Sequence, residues 1–263
     1  MVALILAGGL GTRLRSVVAD RPKPMAAVGD VPFLAHQIAF LRHFGVRRVV
    51  LCVGYLHEHI RAYFGEGSAW GVRIDYSVED EPLGTGGALK LAEPWVDGPF
   101  LLLNGDTYFD IDLGGLVERH TLNVLGDPQC MGTLALAEVA DARAFGSVVL
   151  GTGGRVEAFV EKSVQPILGN FINAGIYALH PSVNECIPAA TRVSLEHDVF
   201  PTLIAGRRLF GCPAPGFFVD IGTPAGYAAL RRYLEERDCD HPQQGSTAHQ
   251  LRGGRDGCVA LRG

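Results

Sequence analysis

The chain has 263 residues, 48% of them hydrophobic, which suits one large α/β domain, or one domain with a sub-lobe, and excludes disorder throughout. A net charge of −5 at neutral pH argues against a general nucleic-acid binder, which carries a basic surface. No apolar run reaches the roughly 18 residues that a membrane span needs, so no membrane partner is expected.

Val2 to Leu6 is a short apolar run closed by a glycine-rich turn, the pattern of a buried strand. Gly8, Gly9 and Gly11 let backbone N–H groups approach an anion with no Cβ in the way. Arg13 follows with a planar fork of donors suited to phosphate oxygens. Lys23 sits between Pro22 and Pro24, whose fixed φ angles stiffen the chain on either side. Together these make a polyphosphate cradle. Two other phosphate loops are excluded: no Lys follows a Gly at P-loop spacing, and a dinucleotide fingerprint begun at Gly9 would place Leu14 at its third glycine.

The stretch LAGGLGTRL…RPKPM resembles the G-G-x-G-T-R-L…P-K-P motif of the sugar-1-phosphate nucleotidyltransferases, with every position filled. The resemblance covers roughly residues 2 to 235. It implies an α/β fold with a Rossmann-like, mostly parallel sheet, helices on both faces and a GT-A-like arrangement. It also implies an NTP and a sugar 1-phosphate as substrates, an essential Mg²⁺ and release of pyrophosphate. Leu6, Ala7, Gly8, Gly9, Gly11 and Thr12 would then line the nucleotide, with Arg13 on the leaving pyrophosphate and Lys23 on the triphosphate.

Phe33 to Phe44 has apolar residues at helical spacing and stops at Gly45; Arg47 to Val53 is a β-branched strand. His57 to Phe64 forms a helix and Val72 to Val78 a third strand, so the β-α-β-α-β order predicts a parallel sheet with ligands at its carboxyl ends. His57-Glu58-His59 lacks zinc-binding spacing and reads as a helix surface. In Glu79-Asp80-Glu81-Pro82-Leu83-Gly84-Thr85-Gly86-Gly87, small residues again permit close backbone approach before a helix from about Ala88. This segment resembles the family's E-x-E-P-L-G-T-A/G-G, placing Glu79, Pro82, Gly84 and Thr85 against the base and ribose. A carboxylate at Glu79 would accept from N1–H and the 2-amino group of guanine, which favours GTP. The alternative is that these acids cap the helix.

Phe100 to Leu103 is another strand, ending in Asn104-Gly105-Asp106-Thr107, and Asp106 falls where the family holds its metal. Of Asp110 and Asp112, one is expected to cap a helix from Leu113. From Met131 the pattern turns to strands joined by hairpins. Here Gly146, the Glu161-Lys162 pair, Asn173 and Gly175 resemble the family's sugar-bordering positions, with Lys162 on the sugar phosphate. Ser194 reads as a helix cap. Phe217 to Pro224 matches W/F-x-D-I/V-G-T-P, which makes Asp220 the second metal carboxylate and starts a helix at Pro224.

These readings give a nucleotidyltransferase domain over 1–237, with a nucleotide core to about 125 and a sugar-binding portion from about 126, and a disordered tail over 238–263. Cys52, Cys130, Cys186, Cys212, Cys239 and Cys258 include no C-x-x-C pair, and the N-terminus shows no secretory leader, so a cytoplasmic enzyme with reduced thiols is expected. The motif combination looks most like the D-glycero-α-D-manno-heptose 1-phosphate guanylyltransferases, with mannose-1-phosphate guanylyltransferases next. A non-catalytic NDP-sugar sensor on the same fold, and a homo-oligomer as in many family members, stay open.

Overall fold

A computed structural model describes residues 1–9, 22–139, 147–160 and 170–240. The nucleotide half runs β1 (Val2–Leu6), a β2–β3 hairpin (Ala27–Val28, Val31–Pro32), α1 (Phe33–His43), β4 (Arg48–Val53), α2 (His57–Phe64), β5 (Arg73–Val78), α3 (Gly84–Leu91), β6 (Phe100–Asn104), β7 (Thr107–Phe109) and α4 (Leu113–Gly126). The second half adds β8 (Gly132–Glu138), β9 (Ser147–Leu150), β10 (Val156–Val160), β11 (Phe171–Leu179), α5 (Phe200–Ala205), β12 (Leu209–Ala214), β13 (Phe218–Asp220) and α6 (Pro224–Asp240).

Among the described residues, nine strands form one sheet in which β5, β4, β1 and β6 lie side by side and parallel. The sequences of β4, β1 and β6 are near-continuous apolar runs because both faces are covered, whereas β5, at the edge, carries Arg73, Asp75 and Ser77. Alternate residues serve two cores. Ala3, Ile5, Val49 and Leu51 pack with Leu34, Ile38 and Leu41 of α1 and Leu116 of α4. Val2, Leu4, Val50 and Cys52 pack with Leu89 of α3 and Phe200 and Leu203 of α5. Helices therefore cover both faces, as expected.

The second half joins this sheet through one reversed strand, β11, instead of building a layer of its own. β11 runs antiparallel to β6 through Ile176–Leu179, and antiparallel to β8 on its other edge. Among the described strands of this half, only β9 and β10 form a simple hairpin; β8 pairs with β11, farther along the chain, and, in parallel, with β12. The pattern of short strands separated by glycine turns shows strands but not their partners.

One boundary moves. α3 begins at Gly84, not near Ala88. Its first N–H groups are satisfied from outside the segment: Gly86 and Gly87 both donate to the Val193 carbonyl, at 2.9 and 3.3 Å. That tertiary cap lets glycines of poor helix propensity occupy the first turn. Elsewhere the expected caps hold. Asp112 accepts from Gly114 N–H at the start of α4, and Ser194 Oγ accepts from His197 N–H at the start of a π-turn over Leu195–Val199.

Candidate active site

The carboxyl ends of β1 and β6 open into a cavity of about 360 Å³. Leu6, Gly8, Gly9, Lys23, Glu79, Pro82, Gly84, Thr85 and Asp106 all line it. Ala7, also expected on the nucleotide, instead sits buried behind the turn with its N–H bonded to Cys52 O. Gly11, Thr12, Arg13, Gly146, Glu161 and Lys162 lie outside the described residues, as does the tail beyond 240.

Lys23 occupies the first turn after the Pro22 bend, where its side chain is 12% exposed. Its ammonium lies 2.6 Å from Asp106 Oδ2 and 3.8 Å from Asp220 Oδ1. Two carboxylates 114 positions apart in sequence meet because β7 and β13 pair antiparallel, setting Asp220 opposite Thr107 and letting Ile221 N–H donate to Asp106 O at 2.9 Å. Gly222 N–H donates to Asp220 Oδ1 at 2.6 Å and fixes that carboxylate. The other nearby acids do not join them: Asp112 caps α4, and Asp110 accepts from Tyr233 and Arg237 of α6.

Glu79 stands at the carboxyl end of β5. Its Oε2 accepts from Leu83 N–H at 2.9 Å, and its Oε1 is so close to Gly8 that a Cβ there would lie 2.8 Å away. Burial raises its pKa above the ordinary carboxylate range, with the Leu83 hydrogen bond acting in the opposite direction. One oxygen of Glu79 thus fixes the turn into α3 while the residue lines the cavity, and among the described residues no side chain caps α3 itself. Gly84 adopts φ +74°, and a Cβ would meet Val193 O at 2.5 Å. The small residues that follow do permit close backbone approach, but what approaches is the chain's own Thr191–Val193 segment. The Thr85 hydroxyl is committed likewise, donating to Glu196 Oε2 and accepting from Leu195 N–H, both at 2.8 Å.

Asn173 and Gly175 fall at an irregularity in β11. Its pairing with β8 slips between Asn173 and Tyr177, and on the opposite edge β9 meets Ile172 while β6 begins at Ile176. Gly175 takes φ +69° there, donates to Asn173 Oδ1 at 3.1 Å and packs on Asn104. Asn104 in turn lines the cavity, so the pair expected to border the sugar is one residue removed from its wall. Besides Pro24, Ala88 and Gly105, two lining residues with polar side chains were not among the expected site residues. Asn104 could have been found beside Asp106. Arg192, an exposed cation, arrives only because its segment docks on α3, and no local pattern announces that.

Residues 2–237 match the family model described as nucleotidyl transferase. The chain belongs to that family. Among its relatives, the D-glycero-α-D-manno-heptose 1-phosphate guanylyltransferase of Aneurinibacillus thermoaerophilus is 39% identical over 236 residues, 89% of this chain and 99% of that protein. The mannose-1-phosphate guanyltransferase of Candida albicans is 36% identical over 264 residues, 97% of this chain and 70% of the relative. The crystal structure of HddC from Yersinia pseudotuberculosis superposes with a TM-score of 0.77 at 32% identity, covering 89% of this chain and 99% of that one. The same protein complexed with GMP-PN gives 0.75. Within such a family the cavity is the place to seek the substrates. No helix among the described residues is long and apolar enough to cross a membrane.

Proposed function

We propose that this chain transfers a guanylyl group from GTP to a sugar 1-phosphate, with D-glycero-α-D-manno-heptose 1-phosphate as the first candidate sugar. The observation that carries the reading is the meeting of Lys23, Asp106 and Asp220, the first two in the wall of a cavity that Glu79 also lines. The heptose choice rests on the Aneurinibacillus relative, which this chain matches over 99% of its length. Mannose 1-phosphate is the second reading, supported by the Candida relative.

The donor set suits Mg²⁺: both carboxylates reach toward the single cationic point now marked by Lys23 Nζ, and both offer hard oxygen ligands. Among the described residues no group of three or more His, Cys, Asp or Glu gathers to hold a metal, which fits a cation whose other ligands are phosphates and water. When bound, Mg²⁺ would neutralise charge on the triphosphate. Asp106 and Asp220 would hold it, and Arg13 and Lys23 would hold the departing phosphates. Lys162 would position the sugar phosphate, and Glu161, Gly146, Asn173 and Gly175 would border the sugar. A sugar-phosphate oxygen then attacks the α-phosphorus in line; that P–O bond forms as the bond to the β-phosphate breaks, and pyrophosphate leaves. No covalent enzyme intermediate is needed, so catalysis comes from holding two anions together and stabilising charge. Removing any one of these charges should cost on the order of 10² to 10³ in rate.

The test is pyrophosphate release with Mg²⁺, crossing GTP, ATP, CTP, UTP and dTTP with heptose, mannose and glucose 1-phosphates. Rapid release with GTP and the heptose phosphate is expected. Preference for mannose 1-phosphate would move the sugar and keep the chemistry. GTP binding without release from any pair would favour a nucleotide-sugar sensor.

A further inference from the structure

The turn that carries Asp106 is held by a side chain from α1. Gln37 of α1 is 2% exposed. Its Nε2 donates to Asn104 O at 2.8 Å and to Thr107 O at 3.1 Å, the carbonyls on either side of Gly105-Asp106. The same turn is tied to β1 by Gly105 N–H to Leu6 O at 3.0 Å, and to the segment after β13 by Ile221 N–H to Asp106 O at 2.9 Å. Four hydrogen bonds from three elements therefore converge on four consecutive residues. Both protons of the Gln37 amide are spent on this turn, while its own Oε1 is buried with no partner. A buried oxygen left unpaired is costly, so the amide is held there for its donors.

We propose that Gln37 is a positioning residue that sets how Asp106 presents its carboxylate, and with it the affinity of the site for a divalent cation. This rests on the reading of Asp106 as a metal ligand. The lever is short. Asp106 sits between the two carbonyls that Gln37 grips, and β7 couples the turn to β13 and Asp220. Released from Gln37, the turn keeps its ties to β1 and β13 but loses the grip that fixes its rotation.

The experiment is Mn²⁺ binding in the presence of GTP and the absence of any sugar phosphate, read by electron paramagnetic resonance of the free ion. Thermal melting is followed in parallel. Gln37→Met keeps the volume and removes the donors; Gln37→Glu keeps the shape and replaces them with acceptors. Both should weaken Mn²⁺ binding about tenfold or more, in the range of lost outer-shell partners, and still melt cooperatively. Ile38→Val, a core truncation on the same helix, should leave Mn²⁺ affinity unchanged. Unchanged affinity in both Gln37 variants overturns the proposal, and so does loss of cooperative folding in both, which would make Gln37 a determinant of the fold alone. Asp106→Asn separates the two readings. If it weakens Mn²⁺ and the Gln37 variants do not, only the positioning role fails; if it has no effect, the metal-site reading itself is wrong.

Discussion

At the scale of single residues, the proposed role of Glu79 ties substrate choice to pH. Burial raises its pKa, so protonation begins at a higher pH than for an exposed carboxylate. The protonated form loses acceptor capacity toward the guanine edge. The kcat/KM for GTP should therefore fall as pH drops through that raised pKa, while Glu79→Gln flattens the profile. The variant should also lose about 10- to 100-fold in kcat/KM for GTP, the worth of a hydrogen bond to a charged group. A pH series of GTP kinetics at saturating sugar phosphate checks both; a GTP-specific loss that is absent with the variant's poorer NTP substrates marks base recognition. Lys23, Asp106 and Asp220 were legible in the sequence because motif and chemistry agree: prolines brace the lysine, and both acids follow short strands. Gln37 was not. Within FLAHQIAFLRH it reads as an ordinary polar position on an amphipathic helix, and only the tertiary approach of the Asn104–Thr107 turn gives it a task.

At the scale of elements, the junction between α3 and the Val193–Glu196 segment shapes one wall of the cavity. Gly86 and Gly87 are capped by Val193 O, Val193 N–H donates to Leu83 O at 2.8 Å, and Thr85 bonds Glu196 and Leu195. Gly84→Ala would force an L side chain into φ +74° with its Cβ 2.5 Å from Val193 O. We expect a loss of about 1–3 kcal/mol in urea unfolding, together with a raised KM for GTP, because the displaced segment forms one wall of the cavity. An Ala variant with wild-type stability and KM would show that the junction yields without consequence. Strand and helix identities here were readable from periodicity, as in Arg47 to Val53 and Phe33 to Phe44. The start of α3 was not, because its cap comes from residues more than a hundred positions away.

At the scale of the molecule, the two cores on opposite faces of the sheet make stability sensitive to what is buried at their margins. His120 of α4 is 3% exposed, with Nδ1 against Thr133 Oγ1 at 3.1 Å and Nε2 buried without a partner. Burial, aided by His180, lowers its pKa from 6.5 to about 4. A depressed base is neutral in the folded state, so its contribution is present above pH 6.5 and is lost as pH falls from there toward about 4. The full loss is about 3 kcal/mol at most. His120→Gln should shrink the difference in unfolding free energy between pH 7 and pH 5, and an unchanged pH slope would rule out this histidine as its source. The sequence by itself determined the chemistry-bearing motifs, the α/β alternation of the first half and the helix signals around it. These are local: an apolar period, a glycine turn or a braced lysine is written within a few residues. Tertiary structure alone decided that the second half would join the same sheet through a reversed β11 and that the β7–β13 pair would be what brings Asp106 and Asp220 together. It also decided that Gln37 and Arg192 would reach the site. Those outcomes depend on which distant strand edges and unsatisfied carbonyls find one another, and short-range sequence carries no record of such a pairing.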